Sequence, residues 1–202
     1  MKKIILTTCI LLTSLAASAQ HAAGSFTIQP KVGLNIATIT KDDDADSRVG
    51  LAVGAEVEYQ ATDMVSVSGG LLYSMQGAKG NLGSIDGTMK LDYINIPILA
   101  NVYVAKGFAV KLGLQPGFMV NDKIKVSQGG VSAEVGINEA LKQAGIDETI
   151  NKVDLAIPVG VSYEFSNFVV DARYNWGVTE IVKDANSKNS VFQFTVGYKF
   201  AL

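Results

Sequence analysis

The segment SVFQFTVGYKF, residues 190–200, alternates strictly between apolar and polar side chains. Because successive side chains of a β-strand point to opposite faces, the segment predicts a strand with one apolar and one polar face. The apolar face must be covered, yet the polar face carries a lysine and a glutamine. The apolar positions are Phe192, Phe194, Val196, Tyr198 and Phe200, and the polar positions are Gln193, Thr195, Gly197 and Lys199.

Seven further segments alternate in a related way, which gives eight predicted strands. In one of them the apolar face shifts between Tyr93 and Ile94, which predicts a β-bulge or a locally two-sided strand. Long and tight connections alternate along the chain, as in an up-and-down antiparallel meander with two different ends. The strands are predicted at 26–38, 49–59, 65–76, 91–104, 108–121, 153–165, 168–179 and 190–200.

The bulk composition argues against two classes of protein, nucleic-acid-binding proteins and proteins with a transmembrane helix. Of the 202 residues, 48% are hydrophobic and only 18% are charged, and the net charge is −2. A chain without a basic stripe is not expected to bind nucleic acid. After the first twenty residues no run of about 18 apolar residues occurs, so no transmembrane helix is predicted.

The N-terminal segment has the features of a secretory signal peptide. A basic start, an apolar run and small residues before the cleavage site predict a signal peptide at 1–19, cut between Ala19 and Gln20. Residues 20–202 then form the mature barrel domain. Because Cys9 is the only cysteine, the mature domain has no disulfide.

Strand length and the positions of the aromatic residues distinguish a membrane barrel from a soluble β-sandwich. Each predicted strand is about as long as a tilted strand that crosses a bilayer. Aromatic residues lie near strand ends on the apolar faces, as in the interfacial girdles of outer-membrane barrels. We therefore predict an all-β fold, an eight-stranded antiparallel up-and-down transmembrane β-barrel with short periplasmic turns and long extracellular loops. The predicted membrane-interface aromatics include Phe108, Tyr163, Trp176, Tyr198 and Phe200.

In such a barrel the apolar faces meet lipid and the polar faces enclose the interior. Eight strands leave an interior that side chains can fill, so the enclosed charges should pair and a continuous water pore is not expected. Arg173 is expected to pair with Glu164 or Asp154. The predicted barrel-interior charge network consists of Lys31, Glu56, Glu58, Lys111, Asp154, Glu164, Asp171, Arg173 and Lys199.

Several segments together resemble the PorT-like family of outer-membrane β-barrel proteins, small porin-family barrels of Gram-negative bacteria. The resemblance implies a cell outer membrane location with lipid and lipopolysaccharide around the barrel, insertion by the barrel insertion machinery, and an extracellular or secretion-system protein as partner. It brings no catalytic, metal or cofactor residues. The segments are PKVGLNIAT (30–38), DYINIPILANVY (92–103), VKLGLQPGFMV (110–120), VDLAIPVGVSYEF (153–165), VDARYNWGVTEI (170–181) and FTVGYKF (194–200).

No residue pattern indicates catalysis or a metal site. His21 is the only histidine and is expected in a mobile tail, where a catalytic base could not be held in position. Glu56 and Glu58 are more simply interior ion-pair partners of Lys31, Lys111 or Arg173 than an acid–base pair. The acidic segment KDDDADSR (41–48) lacks the EF-hand pattern and is interpreted as a solvated loop, with divalent-ion or lipopolysaccharide bridging as the alternative. The glycine-rich segments 81–87 and 127–136 are expected to be flexible surface loops.

The sequence therefore predicts a non-enzymatic protein without a cofactor, with a structural or interaction role through its extracellular loops, linked to a secretion assembly. The connection 122–152 is the first choice for a partner site, and 136–145 within it could hold a short helix. Two alternatives stay open. One is a narrow porin-like channel for small solutes, and the other is a secreted soluble β-barrel that binds an apolar ligand.

Overall fold

The computed structural model describes residues 21–40, 46–82, 85–128, 131–143, 145, 150–182 and 187–202. The predicted signal peptide and residues 41–45 of the acidic segment lie outside the described residues. No helix in these ranges is both long and apolar enough to cross a membrane. The strands are β1 (Phe26–Ile39), β2 (Asp46–Gln60), β3 (Val65–Leu82), β4 (Ile85–Asn95), β5 (Ile98–Ala105), β6 (Phe108–Gln128), β7 (Val131–Gly136), β8 (Val153–Phe165), β9 (Phe168–Gly177), β10 (Asn189–Tyr198) and β11 (Phe200–Ala201), and the helix is α1 (Ile137–Gln143).

The strands close into an antiparallel ring with eight positions. Going round it, β1 is followed by β2, β3, the broken pair β4 and β5, β6, β8, β9, and finally β10 with β11. β1 pairs with both β2 and β10, so the ring has no free edge there. The eight-stranded up-and-down barrel predicted from the sequence is confirmed. β7 pairs with β6 outside the ring.

The glycine-rich segments differ from their prediction. The expectation of loops is wrong for residues 81–82, 85–87, 127–128 and 131–136, because they lie in strands, β3 paired with β4 and β6 paired with β7. The irregularity expected between Tyr93 and Ile94 is also placed differently. The register of β4 against β6 shifts between Asp92 and Tyr93, where Val120 of β6 has no partner, and Pro97 separates β4 from β5.

The two faces of the ring have opposite chemistry. Along β10 the outward Phe194 is 49% exposed and the inward Gln193 is 2% exposed. Outward aliphatic and aromatic side chains form a continuous apolar belt, which lipid covers in a membrane barrel. The alternative of a soluble barrel around an apolar ligand is wrong, because the interior is lined mainly by polar side chains.

An apolar group of side chains closes the long-loop end of the interior. We call it the apolar cap. Ile137 of α1 and Ile150 and Ile181 of the long connections pack there against inward side chains of the ring. The sequence did not predict this cap. Its buried members are Ile39, Ala78, Leu91, Tyr93, Met119, Ile137, Ile150 and Ile181.

Candidate functional site

Five charged side chains meet in the middle of the barrel interior. We call them the ionic core: Lys31, Glu56, Lys111, Asp171 and Arg173. Arg173 donates to both carboxylate oxygens of Glu56, at 2.8 and 3.0 Å, and its Nε lies 2.7 Å from Asp171. Lys31 Nζ lies 2.7 Å from Glu56 and Lys111 Nζ lies 2.8 Å from Asp171. Each carboxylate therefore contacts two cations, which is how buried charges are compensated.

Two glycines of the ring make room for these long side chains. A Cβ at Gly160 would lie 2.8 Å from Cγ of Arg173, and one at Gly70 would lie 2.7 Å from Cγ of Glu56. Any larger residue at these positions would have to displace the side chain that lies across it. The inward glycines of β3 and β8 therefore position the Arg173–Glu56 pair.

A second ion cluster lies towards the short-turn end, and we call it the mouth cluster. Lys199 Nζ lies 2.9 Å from Glu58 and 2.8 Å from Glu164. The Tyr103 hydroxyl donates to Glu58 at 2.6 Å and accepts from Lys199 at 3.0 Å. Ser66 also donates to Glu58, at 2.6 Å. The hydrogen bonds from Tyr103 and Ser66 hold the Glu58 carboxylate in place together with its ion pair to Lys199.

His21 is not in a free tail. Its Nε2 lies 3.1 Å from Glu164, and its ring is only partly exposed. Gly24 donates its backbone N–H to Gln60, and Gln60 donates to Ser25 in return. The expectation of a mobile segment at His21 is therefore wrong, since backbone hydrogen bonds hold residues 24–25 against the end of β2.

Asp154 lies apart from the ionic core. Its carboxylate accepts from the Thr179 hydroxyl at 2.8 Å, near the long-loop end. The expected pairing of Arg173 with Asp154 or Glu164 is wrong, because Arg173 is already bound by Glu56 and Asp171. Among the described residues no group of histidine, cysteine or carboxylate side chains is arranged to hold a metal ion.

One buried ion pair was missed by sequence reasoning. Arg48 Nη1 lies 3.2 Å from Asp92, and also donates to the carbonyl of Gln76. Asp92 further accepts from Tyr73 at 3.1 Å and from Asn121 at 2.8 Å. Arg48 shares the period-2 face of Glu56 and Glu58, so its inward position was readable from the sequence. The burial of Asp92 could not be inferred from the sequence, because Asp92 lies beside the bulge.

The interface aromatics lie on the outer face. Phe108 and Tyr163 are cross-strand neighbours near the short-turn end, and Tyr198 contacts Phe200 with ring centroids 4.7 Å apart. Trp176 is 56% exposed and lies towards the opposite end of β9. Rings at both borders of the apolar belt are typical of barrels in a bilayer.

The long-loop end has its own polar contacts. Asn138 of α1 donates to Asp122 at 3.1 Å, and Lys152 lies 3.6 Å from the same carboxylate. Lys90 of β4 donates to Glu134 of β7. This hydrogen bond holds the pKa of the Glu134 carboxyl below its usual range.

The ion clusters fill the interior. The side chains of Lys31 and Arg173 are each 1% exposed and that of Glu56 is 2% exposed. Side chains that border a continuous column of water would be accessible to it. The ionic core therefore joins the strands to one another across the interior. It leaves no open passage beside Lys31, Glu56 and Arg173.

The comparisons with known proteins agree with this architecture. The sequence profile of the family described as "Outer membrane protein beta-barrel domain" matches residues 18–183. No curated protein sequence matches the chain. Ail, the attachment invasion locus protein of Yersinia pestis, is similar to this chain in structure, with 19% sequence identity over 88% of this chain and 99% of Ail and a TM-score of 0.50. For Ail in complex with the heparin analogue sucrose octasulfate the identity is 18% over the same shares, with a TM-score of 0.53. The closed ring, its apolar outer belt and the profile match over most of the chain lead to one conclusion: this chain belongs to the outer membrane protein β-barrel domain family.

Proposed function

We propose that this protein is a non-enzymatic barrel of the outer membrane that acts as an interaction protein through its long-loop end and does not conduct solutes. The observation that carries the proposal is the closed interior. With Lys31, Glu56 and Arg173 almost wholly inaccessible, the barrel offers its outer ends rather than its lumen to other molecules.

The long-loop end supports a binding role because it is folded rather than loose. Ile137 anchors α1 in the apolar cap, while Glu139 and Lys142 of the same helix are exposed. Loops held on a rigid scaffold are the usual carriers of binding function. The partner we propose is an extracellular or secretion-system protein, in keeping with the resemblance to the PorT-like family.

The channel alternative is tested in a planar bilayer. The purified protein is expected to give no discrete conductance steps, because the ionic core fills the cross-section of the lumen. Regular steps whose ion preference changes in Arg173→Gln would overturn the closed-lumen part of the proposal.

The interaction role is tested by a matched pair of variants. Glu139→Ala/Lys142→Ala changes one acid and one base on α1, and Asp63→Ala/Lys106→Ala changes one of each at the short-turn end. All four side chains are exposed. Proteins cross-linked to the barrel in intact cells should be lost with the first variant and kept with the second. The reverse pattern, or no difference between the variants, would contradict the proposal.

A further inference from the structure

A group of lysines lies on the outward face of the barrel just beyond the apolar belt. On β3, β4 and β6 the outward side chains stay apolar up to Met75, Ile94 and Val120. Asp92 and Asn121 then lie opposite each other and share a hydrogen bond, and the outward positions beyond them carry lysines. We call this surface the lysine face, and it consists of Lys79, Lys90, Lys123 and Lys125.

The register places these lysines in two neighbouring rows. In the row nearer the belt Lys90 lies directly opposite Lys123. In the next row Thr88 lies between Lys79 and Lys125. Adjacent strands are about 4.8 Å apart, so one anion can contact ammonium groups from two strands.

Lys90 and Lys123 repel each other, because they lie directly opposite on neighbouring strands. Like charges directly opposite each other destabilise an antiparallel pair. Glu134, to which Lys90 donates, lies in the second row opposite Lys125. Asp46 and Asp86 lie at the edges of the face. Asp92, in the row between these lysines and the belt, is already paired with Arg48. Among the described residues the row of Lys90 and Lys123 thus holds two cations and no carboxylate, and a bound anion would relieve their repulsion.

We propose that the lysine face binds the phosphate groups of lipopolysaccharide in the outer leaflet. Acyl chains of such a lipid would cover the apolar belt at Ile94 and Phe118, and its phosphorylated head group would then lie at the level of Lys90 and Lys123. Lysine is a point-charge partner for phosphate that adapts to more than one position of the anion. The inference depends on the outer-membrane placement of the barrel and not on the proposed partner at α1.

The test uses the full mature protein in detergent micelles, titrated with bisphosphorylated lipid A and with the same lipid after removal of its phosphates. Lys90→Gln/Lys123→Gln/Lys125→Gln is expected to weaken binding of the phosphorylated lipid about tenfold or more. The control Lys106→Gln/Lys152→Gln/Lys188→Gln removes the same charge elsewhere and is expected to change binding by less than about twofold.

A variant that is expected to strengthen binding makes the test independent of any loss of folding, because a misfolded protein would not bind more tightly. Glu134→Gln removes the competing carboxylate and should tighten binding of phosphorylated lipid A about two- to threefold. Inorganic phosphate at millimolar concentration should displace little of the lipid, because it lacks the acyl chains that contact the belt. Equal binding of the dephosphorylated lipid, unchanged binding by the lysine variant, or complete displacement by inorganic phosphate would overturn the proposal. None of these variants changes the exposed residues of α1 that were assigned to the partner, so failure here leaves the proposed function standing.

Discussion

The ionic core and the apolar cap fill the same barrel interior in two different ways. The core is made only by residues of ring strands, and each of its carboxylates contacts two cations. The cap is made by apolar side chains, three of which come from α1 and the long connections. Removing one charge leaves its partners buried and uncompensated, whereas removing one aliphatic group leaves a cavity. The core therefore joins the strands of the ring, and the cap holds the long-loop end onto it.

The largest effect is expected from breaking the ionic core. Arg173→Met leaves Glu56 and Asp171 facing only lysines, and should lower the free energy of unfolding by roughly 3–5 kcal/mol. Urea unfolding in lipid vesicles, followed by the fluorescence of the single tryptophan, Trp176, measures this change. Lys106→Met, at an exposed short turn, is the control and should change it by less than about 0.5 kcal/mol. A shift no larger than that of the control would show that the ion pairs do not join the strands.

An intermediate and local effect is expected from the cap. Ile137→Ala should weaken docking of α1 by roughly 2–4 kcal/mol, because a buried side chain is truncated. Hydrogen exchange should then speed up in 137–143 while the unfolding midpoint of the ring stays in place. Glu139→Ala, on the exposed side of the same helix, should leave exchange nearly unchanged. A fall in the ring midpoint with Ile137→Ala would mean that the cap and the ring are one cooperative unit.

The smallest effect is expected in the mouth cluster. Tyr103→Phe removes the hydroxyl that lies between Glu58 and Lys199, but leaves their ion pair in place. The free energy of unfolding should fall by about 1–2 kcal/mol. Tyr198→Phe, on the outer face, is the matched control. Equal effects of the two substitutions would show that the buried hydroxyl contributes nothing beyond its ring.

The sequence was sufficient for the ring because period-2 alternation specifies both the strand and its buried face. It indicated an irregularity near Tyr93 but not its position or origin: Leu91, Asp92 and Tyr93 are all buried in succession. The cause is a bulge at Val120 on the neighbouring strand, and a strand's own sequence does not show where its neighbour bulges.

The contacts inside the barrel were less predictable than the faces. Alternation places Arg173 and Glu56 inside the barrel and leaves Arg173 as one of three candidate cations for Glu56. It does not select among them, because Arg173 and Glu56 are 117 residues apart in the chain and meet only when the ring closes. The cap was missed for a related reason. Ile137, Ile150 and Ile181 lie in separate connections without periodicity, and only the tertiary fold brings them together.

Cysteine accessibility along β10 tests the central claim of an apolar outer face and a closed polar interior. The predicted mature chain contains no cysteine, so Phe194→Cys and Thr195→Cys each introduce a single thiol. In vesicles, a fluorophore attached to the new thiol of the Phe194→Cys variant should be quenched by lipids with spin-labelled acyl chains. A water-soluble maleimide should not react with Thr195→Cys until the protein is unfolded. Rapid reaction of Thr195→Cys in the folded protein, or lipid quenching confined to that variant, would contradict the account.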